Sequence, residues 1–120
     1  NYPKADLPGK DLQFVPRYPG AIRVSNLERN NSRKINLTYY TPDSVSDVVN
    51  FYRQNMGNYY WNLDQDVNFK DLPEGLPPEV DRNFSGESLI FKSSFGSCII
   101  SIFRRPKNNV TVIGINYDAK

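Results

Sequence analysis

The stretch Thr41-Pro42-Asp43-Ser44-Val45-Ser46-Asp47-Val48-Val49-Asn50-Phe51-Tyr52-Arg53-Gln54-Asn55-Met56-Gly57 decides the fold class. Val45, Val48, Val49, Tyr52 and Met56 recur at i, i+3, i+4, i+7 and i+11, so a helix lines them along one side, and Phe51 widens the stripe. Asp47, Asn50, Arg53 and Gln54 take the opposite side. Thr41 is placed to cap free N–H groups, Pro42 suits a first helical position, and Asp43 complements the positive end of the helix dipole. Gly57 offers a left-handed stop after Met56. The expectation is one helix, from about Pro42 to Met56, that must lay its apolar side on something else.

Strand patterns lie on both sides of it. Upstream, Ile22 and Val24 alternate with Arg23 and Ser25 in Ala21–Leu27, and Ile35, Leu37 and Tyr39 alternate with Asn36, Thr38 and Tyr40 in Lys34–Thr41, which predicts a hairpin. Downstream, Tyr59–Leu63 reads as a strand with Tyr59, Trp61 and Leu63 on one face and Tyr60 on the other. A polar, proline-containing connection follows over residues 64–87. Ser88–Ser93, Cys98–Arg104 and Asn109–Tyr117 then form an expected meander around Gly96 and Pro106-Lys107-Asn108. The order β-β-α-β-β-β-β is an α+β fold, an antiparallel sheet of five to six strands with one helix packed on one face. Its core is expected from the helix stripe with Leu89/Phe91, Ile100/Ile102 and Ile113/Ile115.

Residues 1–11 read as an extended, proline-containing tether and 12–120 as a single domain. Phe14, Val15 and Tyr18 are candidates to lie on the core ahead of a Pro19-Gly20 turn. A chain of 120 residues can build a core without staples. Fifteen Lys and Arg against 13 Asp and Glu leave a charge of +2, which argues against a nucleic-acid partner. With no histidine and only Cys98, the usual general base, the Ser/His and Cys/His nucleophile systems, an internal disulfide and covalent haem attachment are all excluded. Asp64-Gln65-Asp66-Val67-Asn68 begins like a calcium loop, but Phe69 and Gly75 stand where that loop needs glycine and glutamate. No carboxylate pair is set up for acid and base work. The expectation is therefore no enzyme, no catalytic residue, no metal site and no cofactor. No run approaches the roughly 18 apolar residues of a transmembrane helix.

The segments Tyr18-Pro19-Gly20-Ala21, Thr41-Pro42-Asp43-Ser44 and Val48-Val49-Asn50-Phe51-Tyr52 resemble a group of small exported bacterial domains, lipoproteins or periplasmic proteins, with "YPGA", "T-x-DS" and "V-x-x-FY" motifs. Where that group often has a glycine before its tryptophan, this chain has Tyr60 before Trp61. The resemblance implies export, to the periplasm or a lipid anchor. The chain also looks like an accessory or assembly subunit of a large periplasmic redox enzyme, such as the partner of hydrazine dehydrogenase.

Two functional readings follow. In the first the chain is a non-enzymatic interaction module that binds another protein, or a second copy of itself, with Tyr40, Tyr60 and Trp61 as anchors on an aromatic outer sheet face and Arg104 and Arg105 as rim contacts. On this reading Trp61→Ala weakens binding and spares the fold. In the second it is a small-ligand-binding domain, with a pocket between the helix and the 64–87 connection lined by Tyr52, Tyr59 and Phe69.

Overall fold

The computed structural model describes residues 6, 12, 14–29, 34–68, 86–105 and 109–119. They form β1 (Ile22–Arg29), β2 (Lys34–Thr41), α1 (Val45–Asn55), a 3-10 turn (Met56–Tyr59), β3 (Asn62–Asn68), β4 (Gly86–Ser93), β5 (Gly96–Arg105) and β6 (Val110–Ala119). The six strands make one antiparallel sheet in the order β1-β2-β6-β5-β4-β3. A hairpin, β1-β2, is thus joined to a meander, β3 through β6, along the β2-β6 pair. Helix α1 carries the chain from the second strand of the sheet to its far edge.

The alternation in each strand sorts side chains to two faces. In register, Leu37 pairs Ile115, Tyr39 pairs Ile113, Ile100 pairs Ile115, Ile102 pairs Ile113, Leu89 pairs Ile100 and Phe91 pairs Cys98. These are the inner face, and they are buried together with Val48, Val49, Tyr52 and Met56 of the helix side. The core is the expected one, with Tyr39 inside and Tyr40 outside. Among described residues, no helix is long and apolar enough to cross a membrane.

The helix ends differ from expectation. Thr41 does not cap it, because it is the last residue of β2, paired with Thr111, and its Oγ1 accepts from the Asp43 N–H. Pro42 and Asp43 make the turn, and Ser44 is the cap, its Oγ accepting from the Asp47 N–H. Gly57 is not the stop. The Trp61 N–H donates to the Met56 carbonyl and the Tyr60 N–H to the Gly57 carbonyl, the paired bonds of a Schellman motif whose left-handed residue is Tyr60, at φ +70°. That geometry removes Tyr59–Trp61 from the sheet, so β3 starts at Asn62 and not at Tyr59. β3 and β4 also take residues 64–68 and 86–87 out of the long connection, whose remainder, 69–85, lies outside the described residues.

Tyr60 occupies a conformation that costs a side-chain-bearing residue about 1–2 kcal/mol. Replacing it with glycine relieves that cost and returns part of it as unfolded-state freedom. Tyr60→Gly is expected to stabilise the chain by about 0.5–1 kcal/mol, read as a rise in thermal midpoint; an unchanged or lower midpoint would show that the tyrosine ring offsets the strain.

Candidate functional site

Helix α1 packs on β5 and β4. The inner face over β2 and β6 is left to another cover, the segment immediately before β1. Val15 and Tyr18 are buried there, and Pro16 and Pro19 lack the N–H groups that a sheet ladder needs. The segment ends in a turn: the Ala21 N–H donates to the Tyr18 carbonyl, with Pro19 and then Gly20 at φ +80° between them, the arrangement of a type II turn. The Tyr18-Pro19-Gly20-Ala21 motif is therefore the hinge by which this strap enters β1.

The strap lies on aromatic rings. Phe14 packs at 5.2 Å from Phe95 and 5.8 Å from Tyr117, and Trp61 at 4.9 Å from Phe95 and 6.1 Å from Tyr117. The Trp61 indole N–H donates to the Phe14 carbonyl at 2.9 Å. Further along, Tyr18 meets the edge of Phe51 of α1 at 5.3 Å, and its hydroxyl donates to the Asp43 carboxylate. Burial, then the bond to Asp43, pushes the Tyr18 phenol up to about 12, so it remains a donor throughout the physiological range. Arg17 lies over the Tyr39 ring at 5.0 Å and pairs with Asp6 at 2.8 Å. Asp6 also accepts from the Arg23 N–H at 2.9 Å, and these bonds, the backbone one first, hold its carboxyl below the usual 3.8.

Each part of this floor has a local cause. Phe95 is set by the tight β4-β5 turn, where the Phe95 N–H donates to Ser93 Oγ and Gly96 sits so close to β6 that a Cβ would stand 2.5 Å from the Asp118 carbonyl oxygen. Trp61 is set by the Schellman turn. Tyr39 and Tyr117 are inward residues of β2 and β6. The strap thus lies in the groove between α1 and the sheet, against Phe95, Trp61 and Tyr117 at one end and against Tyr39 and Phe51 at the other.

The structure scatters the expected partner surface. Trp61 is 3% exposed and belongs to the groove, not to an outer face. Arg104 is no rim cation: its guanidinium donates to the Pro42 and Asp43 carbonyls, to Thr111 Oγ1, and to the Asn109 carbonyl and Oδ1. Tyr40 is on the outer face, opposite Ile22 and Val112, and Arg105, the last residue of β5, pairs with Val110. Tyr60 is 83% exposed in the turn before β3. Of the expected ligand pocket, Tyr52 is buried under α1 against Phe51, Tyr59 is half-buried and Phe69 lies outside the described residues. Arg53, expected on the solvent side of the helix, reaches Asp66 of β3 and, at 3.5 Å, Glu87 of β4. A separate open cleft of about 300 Å³, lined by Lys92, Ser93, Gly96, Ser97, Asp118 and Ala119, has no ring in its wall.

Cys98 is fully buried opposite Phe91 and Tyr117, and burial pushes its thiol up to about 12. It is expected to resist a thiol reagent such as iodoacetamide at pH 8 in the folded chain and to react fully in denaturant. Prompt labelling of the folded chain would show that the β4-β5-β6 core opens.

A family model described as START domain-like matches residues 22–73, which takes in β1, β2, α1 and β3. This part of the chain is similar to that family. No curated protein and no solved structure matches the chain. Neither finding supports the expected tie to a redox-enzyme subunit.

Proposed function

We propose that the chain is a non-catalytic binding domain that takes a small apolar ligand between α1 and the inner face of the sheet, in the groove now filled by the strap. The observation that carries this reading is that a donor-poor segment, and not a strand or helix, covers Phe95, Trp61 and Tyr117 at one end and Tyr39 and Phe51 at the other. The START domain-like match over the hairpin and helix that frame this groove favours it as well. Thermal denaturation against a panel of alkyl carboxylates and hydroxylated aromatics tests it. A ligand at 100 times its Kd raises stability by about 2.7 kcal/mol. A panel that leaves the midpoint unmoved would refute the reading.

A second reading, the accessory or assembly subunit, is favoured by a different observation. On the outer face, Ile22, Tyr40 and Phe103 stand in adjacent register around the buried Val112, and Ile99, 38% exposed, pairs with Ile90 on the same face. A protein partner would cover that face. The double change Tyr40→Ser, Ile99→Ser separates the two readings, because it removes partner binding and leaves apolar ligand binding intact. In both readings we place the chain outside the cytoplasm, on the resemblance carried by its YPGA and T-x-DS segments.

A further inference from the structure

The strap does more than cover the groove, since it satisfies the groove's polar ends. Its Phe14 carbonyl accepts from the Trp61 indole N–H at one end, and its Tyr18 hydroxyl donates to the Asp43 carboxylate at the other. Between them Val15 is buried and Phe14 is only partly so, 38% exposed, against Phe95 and Tyr117. The floor beneath is self-supporting: β2 and β6 pair with each other along their whole length, and β6 pairs again with β5. Lifting the strap at the Pro19-Gly20 hinge therefore breaks no ladder bond between these strands. It frees the Trp61 N–H as a donor and the Asp43 carboxylate as an acceptor, with aromatic surface between them and the buried Arg23 opposite Tyr39 on the same inner face.

We propose that residues 14–18 are an intrachain competitor for the ligand groove, a releasable strap that mimics the ligand it yields to. The inference rests on the ligand-binding reading and names its chemistry. The ligand is an elongated aromatic compound that presents a carbonyl oxygen to Trp61 and a hydroxyl to Asp43, as the strap does. Backbone reach limits the Phe14 to Tyr18 span to no more than about 14 Å, which sets the scale of the molecule apart from the added length of the Tyr18 side chain. Any such ligand must meet the cost of displacing Phe14, Val15 and Tyr18, so the full chain binds it more weakly than a chain whose strap is loosened.

The test uses the full chain and 4-hydroxychalcone, a probe with a phenol, a ketone and two rings. Binding is read from the fluorescence of Trp61, the single tryptophan, and strap release from the rate of trypsin cleavage after Arg17, identified by mass spectrometry. Saturating probe is expected to speed that cleavage at least fivefold, because Arg17 must leave the Tyr39 ring, and Phe14→Ala is expected to bind the probe about tenfold more tightly than the unmodified chain. Tyr18→Phe, which removes only the hydroxyl bonded to Asp43, is the second variant and is expected to shift affinity in the same direction if Phe14→Ala does not fold. Equal affinities with an unchanged or slower cleavage rate overturn the strap and leave the ligand groove standing. No fluorescence change in any of the three proteins, with Arg17 cleaved faster in the variants, overturns the ligand-binding reading and this inference with it.

Discussion

Trp61→Ala is expected to destabilise the chain by about 3–5 kcal/mol, a loss comparable to the whole stability of many domains of this size. The indole is 3% exposed, with edge contacts to Phe95 and Tyr117 and its N–H on the Phe14 carbonyl. Truncation opens a cavity where β6, the β4-β5 turn and the strap meet, and it leaves the part-buried Phe14 carbonyl without its donor. The outcome is read from urea denaturation by circular dichroism, with Tyr60→Ala beside it. Tyr60 is 83% exposed, and its loss is expected to move stability by no more than about 0.5 kcal/mol. A folded Trp61→Ala protein with less than about 1 kcal/mol lost would restore Trp61 as a surface anchor.

Arg104→Ala is the second large effect, about 2–3 kcal/mol, because one planar guanidinium ties three pieces of chain together. Its Nη1 serves the Pro42 and Asp43 carbonyls and Thr111 Oγ1, and its Nη2 serves both oxygens of Asn109. Thr111 Oγ1 in turn donates to the Asp43 carbonyl at 2.6 Å. The turn into α1 is thus pinned to the β5-β6 hairpin, and Asn109 is held at φ +55°, an unfavourable conformation for the isolated residue. Exposure of several of these bonds keeps the figure below that of a buried charge network. Arg104→Lys is expected to recover less than half of the loss, since an ammonium cannot reproduce the fork. A thermal midpoint within 2 °C of the unmodified chain for Arg104→Ala would show that water replaces the guanidinium at little cost.

These two residues show where reading the sequence stops. Periodicity places Val48, Val49, Tyr52 and Met56 under the helix and Leu37, Tyr39, Ile100, Ile102, Ile113 and Ile115 inside the sheet, because burial of a face leaves a repeat that any residue of the right polarity satisfies. It cannot place Trp61, whose position depends on a turn in which Tyr60 takes the backbone conformation usually left to glycine. The one available hint was Tyr60 itself, standing where the resembling domains carry glycine. Arg104 reads as a rim contact because its partners, Pro42, Asp43 and Asn109, offer carbonyl groups, which carry no sequence signature. The strap was half legible: Val15 and Tyr18 read as core residues, but that they cover a ring-lined groove needed Phe95 and Tyr117, brought in from β4-β5 and β6. Thr41 is the cap the sequence suggests, and the role falls to Ser44 because β2 claims Thr41 for its ladder.

The most direct test of apolar ligand binding in this groove is a chemical-shift map of the uniformly 15N- and 13C-labelled full chain titrated with 4-hydroxychalcone. Shifts concentrated at Tyr39, Phe51, Trp61, Phe95 and Tyr117, with the strap residues Phe14 and Val15 moving alongside, are the expected result. Shifts confined to Tyr40, Ile99, Phe103 and Val112 would contradict it and move binding to the outer face of the sheet.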